Sequence, residues 1–286
     1  MINDIKIIEC PRDAMQGIED FIPTSLKAQY INLLLKVGFD TIDFGSFVSA
    51  KAIPQMKDTA ELVKKLDLSS TKSKLLAIVA NYKGAVNTSE FEEIKYLGFP
   101  FSISEIFQQR NTNATREEAL NTVNQIQNLC VKHDKKLVVY LSMGFGNPYN
   151  EAYDLSILSE WTDKLVANGV QILALSDTIG VSTPENIKEL YPFLIKNYSK
   201  IEWGLHLHST PTNSLEKIEA AFKSGCTRFD SAIKGYGGCP MAKDELTGNI
   251  ATEKVLDYLE NNDLKTKIDR KLFVEALNFS DQIFSS

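Results

Sequence analysis

Apolar positions along the chain follow two alternating rhythms. Short, nearly continuous apolar runs rich in β-branched and aromatic side chains occur at 5–10 (IKIIEC), 41–45 (TIDFG), 74–80 (KLLAIVA) and 100–104 (PFSIS), and such runs predict buried strands. The series continues at 136–142 (KLVVYLS), 172–177 (ILALSD), 201–208 (IEWGLHLH) and 227–233 (TRFDSAI). Between these runs the apolar residues recur at helical spacing. Leu26, Tyr30, Leu33, Leu34 and Val37 mark one face of a helix over 25–37. Further helices are expected over 54–66, around 89–98 (SEFEEIKYLG), over 155–169 and at the C-terminal end. A long helix should start near Thr115, where TREE pairs an N-cap threonine with a glutamate three residues on. Another should open at TPENI, with proline in the first helical position.

Eight strands, each feeding a helix, with no Pro- or Ser-rich linker between them, predict a single domain over residues 1–286. Its fold class is α/β, a (β/α)8 TIM barrel with extra C-terminal helices. The rival is an open doubly wound sheet. That fold usually carries a glycine-rich phosphate turn after its first strand, and CPRDAMQG is no GxGxxG.

Composition narrows the function classes. The 286 residues suit one barrel of about 250 residues plus additions, and 43% hydrophobic with 24% charged residues is the balance of a globular protein. A formal charge of −6 without any basic block argues against nucleic-acid or membrane partners. No stretch is apolar for long enough to span a bilayer, and MINDIKIIEC has no signal-peptide pattern. A cytoplasmic location is the resulting expectation. The cysteines, Cys10, Cys130, Cys226 and Cys239, form no CxxC pair, so reduced thiols are expected.

Chemistry then concentrates where a barrel places it, at the C-terminal ends of the strands. Two of the three histidines, His206 and His208, stand two apart in GLHLHSTP. In a strand that spacing turns both rings to one side, where they can share a divalent metal. Asp13, His206, His208 and Asn249 make an oxygen and nitrogen set without thiolate, suited to Mg²⁺ or Mn²⁺. Asp13 could instead cap a turn, and Asn249 could cap a helix beginning near Ile250. Arg12 is a permanently charged fork able to hold a carboxylate or an enolate oxygen, or to pair with Glu9 or Asp43. Asp43 reads as a base, a partner behind the ligands, or the other half of that bridge, and Asp177 is open to similar roles. Gln16 and Ser46, in the loops after strands one and two, are candidates for substrate contact beside Arg12. Cys239, in GYGGCP, sits in a glycine-rich loop from which a thiol could deliver a proton. His133 and Cys130 read as a solvated helix end and inert packing.

These residues resemble a known family. PRDAMQ, SFVSAKAIPQM, SDTIGVSTP, HLH and GYGGCPMAKDELTGNIATE are similar to segments of 3-hydroxy-3-methylglutaryl-CoA lyases, in the HMGL-like (pyruvate carboxyltransferase-type) group of metal-dependent barrels. The resemblance covers nearly the whole chain. It implies that Asp13, His206, His208 and Asn249 bind the metal, that Arg12 stabilises an enolate, and that Cys239 is a mobile-loop thiol in proton transfer. The implied reaction cleaves an acyl-CoA substrate, 3-hydroxy-3-methylglutaryl-CoA, to acetyl-CoA and acetoacetate, as in leucine degradation, and the implied assembly is a homodimer. Asp43 stands where the family usually has glutamate, Ser209 where it has aspartate, and Ala14, Met15, Gln16 and Gly17 replace its usual sequence after Asp13. The loop from Cys239 to Asn249 is one residue longer. An acyl-CoA condensing enzyme or aldolase of the same group, of the 2-isopropylmalate or homocitrate synthase kind, is the alternative activity. A non-catalytic relative is the third reading.

Overall fold

The computed structural model describes residues 5–238 and 247–284. Its strands are β1 (Lys6–Glu9), β2 (Thr41–Ser46), β3 (Lys74–Ile78), β4 (Ile94–Ser102), β5 (Lys136–Ser142), β6 (Ile172–Ser176), β7 (Glu202–His206), β8 (His208–Ser209), β9 (Arg228–Ser231) and β10 (Gly248–Asn249). Seven of these, β1 to β7, and then β9 form a closed parallel barrel. Closure is made by β1, which pairs in parallel with β2 on one side and with β9 on the other. An open doubly wound sheet is thereby excluded, and the barrel expectation holds.

The helices lie between and after the strands. They are α1 (Pro11–Met15), α2 (Thr24–Val37), α3 (Thr59–Leu62), α4 (Tyr82–Ser89), α5 (Glu105–Thr112), α6 (Arg116–Lys132), α7 (Leu155–Ala167), α8 (Pro184–Asn197), α9 (Ser214–Lys223), α10 (Thr252–Asn261) and α11 (Arg270–Phe284). Local sequence explains several of their ends. Thr115 and Glu118 form the reciprocal capping box at the start of α6, and Thr183 caps α8 ahead of Pro184. The last helix, α11, packs on α2, with Phe279 stacked on Tyr30 at 6.3 Å and Phe284 edge-on at 6.2 Å.

Strand periodicity sorts the core into two layers. Along β5, Val138 and Tyr140 join Leu76, Ile78, Tyr96, Ile172 and Ala174 in one cluster. Leu137, Val139 and Leu141, on the opposite face, pack with the helices instead. The first cluster fills the barrel and the second seats the helical ring.

Four local expectations need correction. The stretch expected as a helix around 89–98 divides: the helix comes earlier, as α4, with the Asn81 side chain accepting from the Gly84 N–H, and residues from Ile94 onward are the start of β4. Glu92, Glu93 and Lys95 give a helical look, but Ile94, Tyr96, Leu97 and Phe99 are buried between β3 and β5, and that packing overrides propensity. The helix expected over 54–66 is broken into 3-10 turns on either side of α3. Gln55 is drawn away by the preceding loop, bonding the Ile22 N–H and the Ile18 and Asp20 carbonyls. A helix unforeseen in the sequence, α5, is capped by Ser104. Finally, the seventh strand does not run through both histidines: it stops at His206, and His208 begins a separate antiparallel pairing with β10.

Beneath the site Glu9 is wholly buried, accepting from the Ile233 N–H at 2.8 Å and from the Thr252 hydroxyl at 2.6 Å. Burial pushes its carboxyl up to about 8 against an ordinary 4.5, the two hydrogen bonds opposing. The folded state therefore holds this proton more tightly than the unfolded chain does. Its contribution to stability is complete below the unfolded value near 4.5 and is lost as pH rises through about 8. Replacing Glu9 with Gln is expected to flatten the decline in unfolding free energy between about pH 5 and pH 8 by a few kcal/mol. Urea titrations across that range check it, and an unchanged slope would contradict a buried titrating carboxyl.

Candidate metal centre

The mouth of the barrel is built from the segments that follow β1 and β7, with β2 beside them. After β1, Pro11 starts the short helix α1, and its helical spacing puts Arg12, Asp13 and Gln16 on neighbouring positions of one face. The Asp13 Oδ1 accepts from Arg12 Nη1 and from Gln16 Nε2, both at 2.8 Å, and Gln16 Oε1 in turn accepts from Arg12 Nη1 at 2.9 Å. Asp43, inside β2, takes the other side of the guanidinium fork through Arg12 Nε and Nη2. Of the two partners that the sequence left open for Arg12, the bridge is to Asp43 and not to Glu9.

Across the mouth, β7 and β8 bring the histidines together, their ring centroids 5.2 Å apart. Ligand atoms of Asp13, His206 and His208 all lie within 4.8 Å of one another, and the three side chains are buried. Side chains from opposite ends of the chain, Asp13 near one and the two histidines toward the other, thus meet here. Convergence of the two rings does not come from one strand face, however. The backbone leaves the barrel after His206, so that His208 pairs with Asn249 across the β8–β10 ladder. Asn249 therefore does not cap a helix: α10 begins at Thr252, after Ala251.

Hydrogen bonds fix which atom each side chain offers. The His208 Nδ1 lies 3.1 Å from the Thr178 carbonyl, which can only accept, so Nδ1 carries the proton and Nε2 a lone pair. That Nε2 is buried without a hydrogen-bond partner among the described residues, an orphan which a cation would satisfy. The His206 Nδ1 lies 3.3 Å from Asp230 Oδ2, a carboxylate–imidazole pair of the kind that orients metal-bound histidines. The Asn249 amide donates through Nδ2 to Asp13 Oδ2 at 2.7 Å and to the Tyr236 carbonyl at 2.9 Å, so that its Oδ1 is the atom left to accept. Gly237 makes the approach possible: at φ +99° it has no Cβ, and one would come within 2.6 Å of Asn249 Nδ2.

The electrostatics suit a divalent cation. Burial alone would raise the Asp13 carboxyl, but the Arg12 guanidinium and the two imidazoles outweigh it and hold it below the usual carboxylate range. Burial, with His206 beside it, pushes His208 down to about 4, so the ring is neutral at physiological pH, the form that ligates metals. Burial works against a charged His206 too, yet Asp230 prevails and raises it. Asp43 rises to about 6 through burial, opposed by Arg12. The sulfur of Cys10 also comes within 4.8 Å of ligand atoms of His206 and Asp230. Burial and the surrounding carboxylates lift that thiol well above its ordinary value, so it stays protonated and a weak ligand.

Other residues singled out in the sequence lie around this centre rather than in it. The Asp177 Oδ2 accepts from the Ser182 hydroxyl at 2.5 Å and from Lys217 Nζ at 3.0 Å, and the same ammonium donates to the His208 carbonyl at 2.7 Å. Asp177 thus anchors the backbone that carries His208. The Ser46 hydroxyl donates to the Ile78 carbonyl and accepts from the Val48 N–H, tying the end of β2 to β3. Cys239 lies outside the described residues. Asp230, Lys217 and the Thr178 carbonyl were not anticipated. For Asp230 a signal was available, an acid near the end of the eighth apolar run, with Arg228 and Asp230 on the face opposite Phe229.

Comparison with known proteins places this architecture. The HMGL-like family matches residues 5–279. The hydroxymethylglutaryl-CoA lyase of Bacillus subtilis is 30% identical over 272 residues, covering 95% of this chain and 90% of that protein. The cytoplasmic 3-hydroxy-3-methylglutaryl-CoA lyase of Rattus norvegicus is 31% identical over 278 residues, covering 96% and 80%. Among solved structures, an HMG-CoA lyase from Acinetobacter baumannii in complex with coenzyme A and 3-methylmalate has a TM-score of 0.90 at 26% identity, covering 99% of this chain and 92% of that one.

If Asp230 orients His206 for a cation, Asp230→Asn is expected to weaken Mn²⁺ binding about 10- to 100-fold with little change in secondary structure. Calorimetric titration of the two proteins tests this, and equal affinities would dissociate Asp230 from metal binding.

Proposed function

The chain belongs to the HMGL-like family, and from that premise we propose that it is a carbon–carbon lyase cleaving 3-hydroxy-3-methylglutaryl-CoA to acetyl-CoA and acetoacetate. The observation that carries this reading is the buried meeting of Asp13, His206 and His208, with an unpartnered His208 Nε2, directly beside the Arg12 fork. Carboxylate, imidazole and amide oxygen form a donor set that favours Mg²⁺ or Mn²⁺, held by Asp13, His206, His208 and Asn249. When bound, the ion supplies Lewis acidity that lowers the pKa of the substrate's tertiary hydroxyl.

The chain's own groups account for the rest. The hydroxyl gives its proton to a water molecule, the carbonyl of acetoacetate forms, and the adjacent C–C bond breaks, one proton leaving here for the one the enolate later takes up. The electron pair passes to the thioester carbon fragment as the acetyl-CoA enolate, which takes a proton at carbon to finish the reaction. Arg12 provides fixed positive charge for the enolate oxygen, and it needs no reorganisation because Asp43 and Asp13 already hold its fork. Asp43 acts here by positioning Arg12, since both its oxygens face the guanidinium. Gln16, bonded to Arg12 and Asp13 at once, sets their spacing. Cys239 is the proposed donor of the final proton.

Incubation of the protein with 3-hydroxy-3-methylglutaryl-CoA and Mg²⁺ should yield acetoacetate, and prior chelation should abolish it. Turnover without metal, or condensation of acetyl-CoA with a 2-oxo acid instead, would overturn the reading. Arg12→Lys keeps the charge but loses the planar fork, and kcat should fall about 10²- to 10³-fold. Cys239→Ser should lower kcat while leaving metal affinity intact. A variant as fast as the parent would remove the thiol from the mechanism.

A further inference from the structure

The barrel's other end carries a second cavity. It has a volume of about 680 Å³ and is formed where β1, β2 and β3 begin, between the chain segments leading into those strands and the connection from α10 to α11. That volume falls within the range of small-molecule sites, roughly 300–1,000 Å³. Conservation of shape at this end of a barrel ordinarily serves stability, since the chemistry lies at the opposite mouth. Here the lining has a charge pattern that packing does not need.

Five lysines border the cavity, Lys6, Lys36, Lys72, Lys74 and Lys267, with Asp40 as the one lining acid. The chain as a whole has a formal charge of −6, so this concentration runs against its average. Only part of it is neutralised locally. Lys6 pairs with Glu202 at 2.8 Å, Lys74 approaches Asp40 at 3.6 Å, and Lys267 is partnered as well. Lys36 and Lys72 are exposed and form no ion pair within 4.0 Å among the described residues. The apolar floor that stays accessible is made by Ile5 and Ile268, both half-buried, while Ile7, Leu35 and Phe39 are buried behind it.

The walls are tied down rather than loose. The Thr71 hydroxyl donates to the Leu35 carbonyl and the Ser73 hydroxyl to the Phe39 carbonyl, both at 2.6 Å. The Asp40 N–H donates to the Ile7 carbonyl at 3.0 Å, and the Asp269 N–H to the Val37 carbonyl at 2.8 Å. Gly38, at φ +98°, lets the Lys267 carbonyl come so near that a Cβ would stand 2.5 Å from it. A cavity held open in this way binds with less ordering cost than a flexible loop would.

From this juxtaposition we propose a second ligand site at the N-terminal end of the barrel, for a phosphorylated organic anion of mononucleotide size. Lys36 and Lys72 meet the phosphates, and the apolar floor receives the base. Phosphate alone would satisfy the lysines but leave the floor unused, so affinity should depend on both parts. The site is independent of the lyase chemistry and stands or falls separately from it.

Binding is measured on the full chain in the presence of EDTA, so that metal at the opposite mouth plays no part, with ATP, AMP and inorganic phosphate as probes. The wild type should bind ATP saturably, AMP less tightly and phosphate weakest. The double variant K36E/K72E should lose at least about 10-fold in ATP affinity. Assayed separately with Mg²⁺ and without EDTA, it should keep its coenzyme A affinity and its rate of 3-hydroxy-3-methylglutaryl-CoA cleavage, which shows that the fold and the other mouth are intact. Absence of ATP binding to the wild type overturns the proposal. So does ATP binding that survives K36E/K72E unchanged, since the nucleotide would then sit elsewhere, and so does equal affinity for phosphate and ATP.

Discussion

Everything at the barrel mouth depends on keeping a carboxylate ionised where water is scarce. Asp13 is buried, and burial by itself favours its neutral acid. Arg12, the two imidazoles and the Asn249 amide reverse that preference. A buried charge is tolerable only when it is paired and hydrogen-bonded, and beside the adjacent Arg12 the groups that face Asp13, namely His206, His208 and Asn249, come from the far end of the chain. The barrel must close before the charge can be accommodated. Closure of β1 on β9 is therefore as much an electrostatic event as a packing one.

The same constraint explains the supporting residues. Arg12 carries one positive charge between two acids, Asp13 and Asp43, so it cannot swing away without leaving a buried carboxylate unpaired. Lys217 plays the equivalent part behind His208: its ammonium, almost wholly buried, spans Asp177 and the His208 and Gly180 carbonyls. These contacts hold a bend that a regular strand could not provide. Rigid support of this kind suits a site whose ligand atoms must converge to within a few ångströms before any cation arrives.

Both ends of the barrel use positive charge, with different purposes. At the C-terminal mouth each cation is matched to carboxylates and fixed in orientation. At the N-terminal end Lys36 and Lys72 form no ion pair within 4.0 Å among the described residues, while the surrounding backbone is tightly bonded. The contrast between saturated and unsaturated charge on one scaffold separates a centre built for chemistry from a surface built for association.

Sequence alone determined the alternation of strands and helices, because burial on both faces makes barrel strands continuously apolar and the helices between them amphipathic. It also exposed Asp13, His206 and His208, since polar side chains at the ends of apolar runs are conspicuous. Tertiary structure decided what no local pattern encodes. Residues 94–98 became strand because β3 and β5 offered edges on both sides. Asn249 came opposite His208 through a two-residue antiparallel ladder too short to leave a periodic trace. Asp230 found His206, and Lys217 found Asp177, only once the barrel had brought together segments 24 and 40 residues apart. Local chemistry can be read from neighbours along the chain, but a hydrogen bond between distant segments exists only after the chain has paid the entropy of bringing them together.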